Sequence, residues 1–269
     1  MVSSTFVSFV VGACLIAIAL VVYTASHPYR LYDHFVWQAS AFLEGQAAIR
    51  FPVAPTATTP GNDFFQDVLP VASTDGIARA LVPFPPLPAI LLMPFVWLWG
   101  LNTDGQLVFA VLGALDVGLA WWVLGKLPIR FSVRVAATIF FGFGTVFWYT
   151  AQIGTTWYQA HVLAVALALA AVGVAIAGDP RSARDEDDPD LESVGTDGAA
   201  VGTAVGSASR GLLRSLAPEP RQFLAGLLFG LACTSRLTVV FAAPFFLLVG
   251  PGGSWGDAAG RPRWERGSR

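Results

Sequence analysis

Residues 5–23, TFVSFVVGACLIAIALVVY, form an apolar run that contains no charged side chain. A bilayer core needs about 20 mostly apolar residues per helix, so this stretch predicts a membrane-spanning helix. No positive charge precedes it, and the run exceeds the ~7–15 apolar residues of a signal peptide. We therefore expect a retained helix rather than a cleaved leader.

Hydrophobic stretches recur along the chain, at residues 85–100, 105–124, 133–150, 157–177 and 223–249. Together with the first run they give about six candidate membrane segments. The stretch 85–100 is short and holds Pro86, Pro88 and Pro94, which predicts a tilted or partly re-entrant segment. The expected fold is an all-α, polytopic membrane helix bundle, and the expected location is the cell membrane, with several passes.

The composition supports this class. Of 269 residues, 55% are hydrophobic and only 13% are charged, whereas a soluble domain carries about 25% charge. A nucleic-acid binder, a disordered protein and an ordinary soluble enzyme are excluded. Cys14 and Cys233 lie in apolar runs and the three histidines are scattered. We expect neither a disulfide, nor a metal site, nor a cofactor.

The chain divides by composition into four parts. Residues 1–177 form the predicted bundle, with a long polar and aromatic loop at 24–84. Residues 178–222 are first acidic and then rich in Gly, Ala and Ser, which predicts a disordered linker; an acidic cation site is the alternative. Residues 223–249 form the last predicted membrane helix, and residues 250–269 an unstructured tail.

The orientation of the long loop stays open. Loops 125–134 and 178–222 carry Lys and Arg, and the positive-inside rule places both in the cytoplasm. If every segment crosses the membrane, loop 24–84 is cytoplasmic as well. If residues 85–100 do not cross, loop 24–84 lies outside while both basic loops stay inside.

Residues 31–45, LYDHFVWQASAFLEG, have helical periodicity. Apolar side chains fall on one face, at Leu31, Phe35, Ala39, Phe42 and Leu43. This pattern predicts an amphipathic helix lying at the membrane interface. Asp33 is then either an N-terminal helix cap or a carboxylate at the level of a lipid-linked substrate's headgroup.

Further polar candidates follow in the same loop. Asp63 and Asp67 stand in a turn-rich stretch, and Arg79 precedes the proline-rich residues 82–88, which predict an extended segment leading to the second hydrophobic stretch. Two charged residues, Asp116 and Arg236, lie deep inside apolar runs, where a charge is costly and by default functional. Three interpretations are open. The two residues form an intramembrane ion pair, Arg236 binds a phosphate or lipid headgroup, or the Arg236 side chain extends (snorkels) to one membrane interface.

Trp157, Tyr158 and His161 lie at the start of a predicted membrane helix. Aromatic side chains at this level usually form the interfacial belt. The functional alternative is sugar stacking on Trp157 with a hydrogen bond from His161. The remaining tryptophans of the apolar segments are interpreted as belt or packing residues.

Four pieces in order resemble the GT-C glycosyltransferases, in particular the bacterial and archaeal proteins similar to dolichyl-phosphate-mannose protein mannosyltransferases. They are Asp33-His34 with residues 42–45, residues 84–88 (FPPLP), residues 147–161 and residues 230–236 followed by Pro244. The resemblance covers about residues 5–249. It implies an Asp-bearing helix in an external loop, with Asp33 and His34 matching the family's acidic piece.

The resemblance implies transfer of a sugar from a polyprenyl-phosphate donor to an acceptor hydroxyl, with inversion at the anomeric carbon. Asp33 is the predicted general base, with Asp63 or Asp67 in reserve. Arg236 or Arg79 is expected to meet the phosphate, and His34, Trp157 and His161 to contact substrate. The expected partners are the lipid donor, membrane lipid and an unidentified acceptor, with no nucleic acid.

Two other interpretations stand beside this one. The chain is shorter than the family's usual length, which also allows an N-terminal module, a truncated fragment without activity or one half of a split protein. A non-catalytic membrane protein, either a transporter-like bundle or a scaffold subunit, is the alternative from another class, although no internal repeat of the transporter kind is present.

Overall fold

The computed structural model describes residues 4–25, 33–52, 67–72, 75–177 and 220–248. These ranges are mostly helical. Their helices are α1 (Ser4–Ala25), α2 (His34–Leu43), α3 (Leu87–Trp99), α4 (Gly105–Leu124), α5 (Phe131–Phe143), α6 (Val146–Ile153), α7 (Thr156–Ala177), α8 (Pro220–Ser235) and α9 (Ala243–Leu248). The strands are β1 (Ile49–Arg50), β2 (Leu69–Val71) and β3 (Arg79–Leu81), and 3-10 turns cover Gly100–Asn102 and Leu237–Ala242.

Among the described residues, three helices are long and apolar enough to cross a bilayer: Thr5–Ala25, Gly105–Leu124 and Thr156–Ile176. Helices α5 and α6, which meet at a bend of 49°, would add a fourth span if taken together. The helical, membrane-type fold class is thus supported. The described residues thus support three or four spans, fewer than the six or so segments predicted from hydropathy.

The second predicted segment is too short. Helix α3 has 13 residues, which is ~20 Å at 1.5 Å per residue, against about 30 Å for a bilayer core. Pro86 precedes the helix, and the chain leaves it at Gly100 with a positive φ of 58°. The backbone geometry at Pro86 and Gly100 therefore makes the helix shorter than the apolar stretch that hydropathy alone identifies.

The fourth predicted segment is a bent pair rather than one straight helix. Gly144 is the C-cap of α5 and Thr145 is the N-cap of α6. The Thr145 hydroxyl accepts a hydrogen bond from the Phe147 backbone N–H at 3.2 Å. A side chain that caps a new helix competes with continuation of the old one.

The last predicted segment is also interrupted. Arg236 adopts extended backbone angles, φ −151° and ψ 110°, between α8 and the following 3-10 turn. Pro244 lacks a backbone N–H, and its ring would clash with the carbonyl four residues earlier in a continuing helix. Helix α8 also starts three residues before 223, so residues 220–222 of the predicted linker are helical. The described residues do not include the rest of the predicted linker (178–219), Asp63 or the predicted tail (250–269).

Helices α1 and α4 run antiparallel at close range. Gly12 lies against the ring of Trp121, and Gly118 lies against the side chain of Ile16. A Cβ added at Gly12 would fall 2.7 Å from that ring, and one added at Gly118 would fall 2.6 Å from Ile16. Small residues at these points let the helix backbones approach, as is common between membrane helices.

Helix α2 is enclosed rather than lying on a surface. It packs mainly against α3. Trp37 joins a second apolar cluster with Ile49 and Ala80 of the antiparallel sheet, whose order is β1-β3-β2, and with Val82, which follows β3. His34 to Ala39 are all buried. The predicted helix is thus present, but long-range partners cover both of its faces, so it is enclosed where the sequence predicted an amphipathic helix lying at the membrane interface.

The bundle has two chemically different ends. At the basic end, Arg134 on α5 donates to the Trp121 carbonyl of α4 and to the Ser8 hydroxyl of α1, both at 2.9 Å. At the opposite end, which we call the Asp33 end, the Gln106 amide near the start of α4 donates to the Ile153 carbonyl of α6. The start of α7 follows directly after Ile153, so α4, α6 and α7 share this end.

Candidate functional site

Asp33 occupies the N-cap position directly before α2, and its carboxylate does not cap that helix. Its backbone carbonyl accepts the Trp37 N–H at 3.0 Å, but its side chain makes no capping hydrogen bond. The residue is only 3% exposed. The cap interpretation of this carboxylate is wrong. A buried carboxylate that does not serve its own helix is suited to a role toward another part of the structure or a ligand.

His34 joins α2 to α7. Its Nδ1 lies 2.8 Å from the Thr156 hydroxyl, and the imidazole is fully buried. The ring contacts Trp37 and Phe84, with centroid distances of 5.1 and 5.5 Å. Burial lowers the pKa of His34 to about 4, so its imidazole is neutral at pH 7.

Trp157 reaches the same place through an aromatic bridge. Phe84 meets Trp157 edge to face, with ring centroids 6.1 Å apart, and also contacts His34. Trp157 is half-buried. It therefore packs into the Asp33 end of the bundle, which leaves part of its ring surface accessible for stacking.

His161 and Arg236 meet at the same end. His161 lies within the first turns of α7, Arg236 follows the last residue of α8, and the guanidinium is within electrostatic range of the imidazole. Both side chains are half-buried. Arg236 thus lies at the end of α8, at the level of the start of α7.

The ion pair between Asp116 and Arg236 is not formed. Asp116 is fully buried in α4, and neither of its carboxylate oxygens has a hydrogen-bond partner among the described residues. Tyr23 of α1 lies within electrostatic range of this carboxyl group, and the Tyr23 hydroxyl donates to the Gly142 carbonyl at 2.7 Å. The ion-pair interpretation of Arg236 is therefore wrong.

The remaining candidates of the long loop lie on the sheet. Asp67 is exposed beside β2 and has a positive φ of 43°. Arg79 on β3 donates to the Asp75 carboxylate at 2.8 Å. This ion pair, which the sequence did not indicate, anchors Arg79 within its own strand and turn. Asp63 lies outside the described residues.

Sequence reasoning missed two residues of this site. Thr156 is the hydrogen-bond partner of His34, yet a threonine at a helix start usually indicates a cap. Phe84 bridges His34 and Trp157, yet in the sequence it is one aromatic residue ahead of a proline run. In the sequence, only the order of the four short motifs indicated that the stretches around His34, Phe84 and Trp157 lie close together.

No concentration of metal-binding side chains accompanies the site. Within the part of the chain that the structure describes, no group of three or more His, Cys, Asp or Glu side chains is placed to hold an ion. The chemistry at hand is one buried carboxylate, one neutral imidazole, aromatic surfaces and a guanidinium. Such a set can accept a proton, stack on a ring and attract an anion.

Comparison of the chain with protein-family models, with curated proteins and with solved structures found no match in any of the three. The resemblance to the GT-C glycosyltransferases therefore stays a prediction, which rests on the order of its four short motifs.

Proposed function

We propose that the protein is a membrane glycosyltransferase, or the N-terminal module of one, which transfers a sugar from a polyprenyl phosphate to an acceptor hydroxyl with inversion. The observation that carries the proposal is the Asp33 carboxylate. It is buried at one end of an apolar bundle, does not cap its own helix, and adjoins the His34–Thr156 contact with α7.

In the proposed reaction Asp33 acts as the general base. It accepts the proton of the acceptor hydroxyl while the hydroxyl oxygen attacks the anomeric carbon from the face opposite the phosphate. The new C–O bond forms as the bond from the anomeric carbon to the phosphate oxygen breaks, which inverts that carbon. A carboxylate positioned in this way accelerates such reactions by about 10²–10⁴-fold.

Arg236 is the proposed contact for the leaving phosphate. The phosphate gains negative charge as its bond to the sugar breaks, and a fixed cation nearby stabilises that charge. Arg236 is half-buried at the Asp33 end, within electrostatic range of His161. Trp157, with part of its ring accessible, offers a surface for the sugar.

The positions of the helix ends support an external Asp33 site. Helix α7 leads away from the Asp33 end and α8 returns to it, so the two ends of the joining stretch, Ala177 and Pro220, lie at the basic end. That joining stretch carries Arg181, Arg184, Arg210 and Arg214, and the other basic loop lies at 125–134. Since α3 is too short to cross, the positive-inside rule places both basic loops in the cytoplasm and Asp33 outside.

A transfer assay tests the proposal. The full chain in proteoliposomes is given a labelled polyprenyl-phosphate sugar and a panel of hydroxyl acceptors, and Asp33→Asn is compared with the wild type. We expect transfer by the wild type and a loss of about 10²-fold or more in the variant. Asp116→Asn, which changes another buried aspartate, is the matched control and should retain activity.

Two results would contradict the proposal. Equal turnover by the wild type and Asp33→Asn would remove Asp33 from the reaction. An inactive wild type across the acceptor panel would favour the non-catalytic membrane protein instead.

A further inference from the structure

The first residue of α2 is tied to the first residue of α7 by one buried hydrogen bond. His34 Nδ1 and the Thr156 hydroxyl are 2.8 Å apart, although 122 residues separate them in the chain. Both residues are fully buried. In such a low-dielectric setting a hydrogen bond is stronger than in water, and its geometry is correspondingly well defined.

Aromatic side chains hold the imidazole from the sides. Trp37 lies at an interplanar angle of 56° to the His34 ring, and Phe84 meets it edge to face at 80°. Phe84 also packs on Trp157, the neighbour of Thr156. The ring therefore has little freedom to turn, and its bond to Thr156 fixes where α2 begins relative to α7.

Asp33 takes its position from this arrangement. It is the residue next to His34, so their Cα atoms are ~3.8 Å apart across one peptide. A displacement of the His34 backbone is passed on across this peptide to Asp33.

We propose that the hydrogen bond between His34 and Thr156 is a positioning device, which holds the Asp33 carboxylate at a fixed distance from the α7 side of the site. His34 and Thr156 are then positioning residues that act through Asp33, and His34 is not a substrate contact. This inference rests on the proposed transferase function.

The rate should be more sensitive to this bond than substrate binding is. A displacement of about 1 Å at a reacting group can cost ~10²-fold in rate. Arg236, the proposed phosphate contact, lies on another element, and Trp157 keeps its contact with Phe84 when the bond is lost. Loss of the bond should therefore lower kcat and leave KM nearly unchanged.

Thr156 offers a sharp pair of variants for the test. Thr156→Val removes the hydroxyl at constant shape, and Thr156→Ser keeps it. In the transfer assay we expect Thr156→Val to lower kcat by about 10- to 100-fold with KM within about twofold, while Thr156→Ser stays close to the wild type. Thr150→Val is the matched control, because that buried hydroxyl bonds only to the Phe147 carbonyl of its own helix.

Variants of His34, the other residue of the hydrogen bond, provide an independent test. His34→Leu should match Thr156→Val, and His34→Asn, which keeps a polar group near the position of Nδ1, should recover part of kcat. The double variant His34→Leu with Thr156→Val should be no slower than either single variant, because the same bond is lost only once.

Several outcomes would overturn the inference. Additive losses in the double variant, equal rates for Thr156→Val and Thr156→Ser, or a rise in KM at constant kcat would each contradict it. If the wild type transfers sugar and Thr156→Val does so equally well, this inference alone fails. If the wild type transfers none, the proposed function fails and takes the inference with it.

Discussion

Two buried aspartates at different levels of the bundle have contrasting surroundings. Asp33 adjoins a hydrogen-bonded histidine at the end of the bundle, whereas Asp116 lies inside α4 with both oxygens lacking a hydrogen-bond partner among the described residues. Burial of a carboxyl group without a partner costs free energy, so Asp116 weakens the fold that contains it. Of the two aspartates, Asp33 lies beside polar and aromatic side chains and is the better placed to take part in a reaction.

The free energy of unfolding should depend on pH through His34. Its pKa is lowered by burial from 6.5 to about 4, so between these values the unfolded chain binds a proton that the folded chain does not. The free energy of unfolding therefore has its full value above about pH 6.5. It falls by roughly 1–3 kcal/mol as the pH approaches 4. Thermal unfolding in detergent, measured at intervals across this range, shows the loss.

The variant His34→Asn is the control for this prediction, because it keeps a polar side chain and removes the titrating group. Its unfolding temperature should change less between pH 6.5 and 4 than that of the wild type. The same pH dependence in both proteins would show that His34 does not carry the effect.

Replacement of Asp116 distinguishes a lone buried acid from a salt-bridge partner. In Asp116→Leu the branching at Cγ is kept and the polar atoms are removed. We expect the unfolding temperature in detergent to stay equal or rise, because an unsatisfied buried polar group costs about 1–3 kcal/mol. A fall equivalent to about 3–5 kcal/mol would instead indicate a broken buried ion pair.

Between helices, close packing depends on particular glycines. Gly113 of α4 faces Ala151 of α6, and a Cβ at Gly113 would fall 2.7 Å from the Ala151 Cβ. Neither backbone can yield without moving a helix. At Gly226 of α8, by contrast, an added Cβ would have no described atom within 4 Å, so only its effect on the helix itself matters.

The same substitution should have opposite effects at these two glycines. Gly113→Ala should destabilise the protein by about 1–3 kcal/mol through overpacking. Gly226→Ala should be neutral or stabilise it by up to about 1 kcal/mol, because alanine favours helix more than glycine does. Unfolding temperatures of the two variants in one detergent provide the comparison, and a loss at Gly226 or none at Gly113 would contradict this packing.

The long apolar helices could be predicted from sequence because length and hydropathy alone determine them, as for α1, α4 and α7. The break at Arg236 could not, since hydropathy ignores backbone angles. The strands of the sheet are too short to show alternation. Asp33 was identified as a candidate, but its enclosure and its neighbour Thr156 depend on contacts between distant parts of the chain, which periodicity does not reveal.

At the scale of the whole molecule, charge and chemistry are separated along the bundle. Arg134 and the loop at 125–130 lie at the basic end, where the α1 start and the α4 end meet. Asp33, Trp157 and Arg236 lie at the opposite end. A transferase that uses a lipid-linked donor at an external site requires this separation to coincide with the two faces of the membrane.

Labelling of intact cells with a membrane-impermeant maleimide tests this claim most directly. In a background with Cys14 and Cys233 replaced by alanine, Gln46→Cys reports the exposed turn after α2, and Leu127→Cys reports the basic loop. We predict that Gln46→Cys is labelled in intact cells and Leu127→Cys only after the membrane is opened. The reverse pattern would place Asp33 in the cytoplasm and contradict the account.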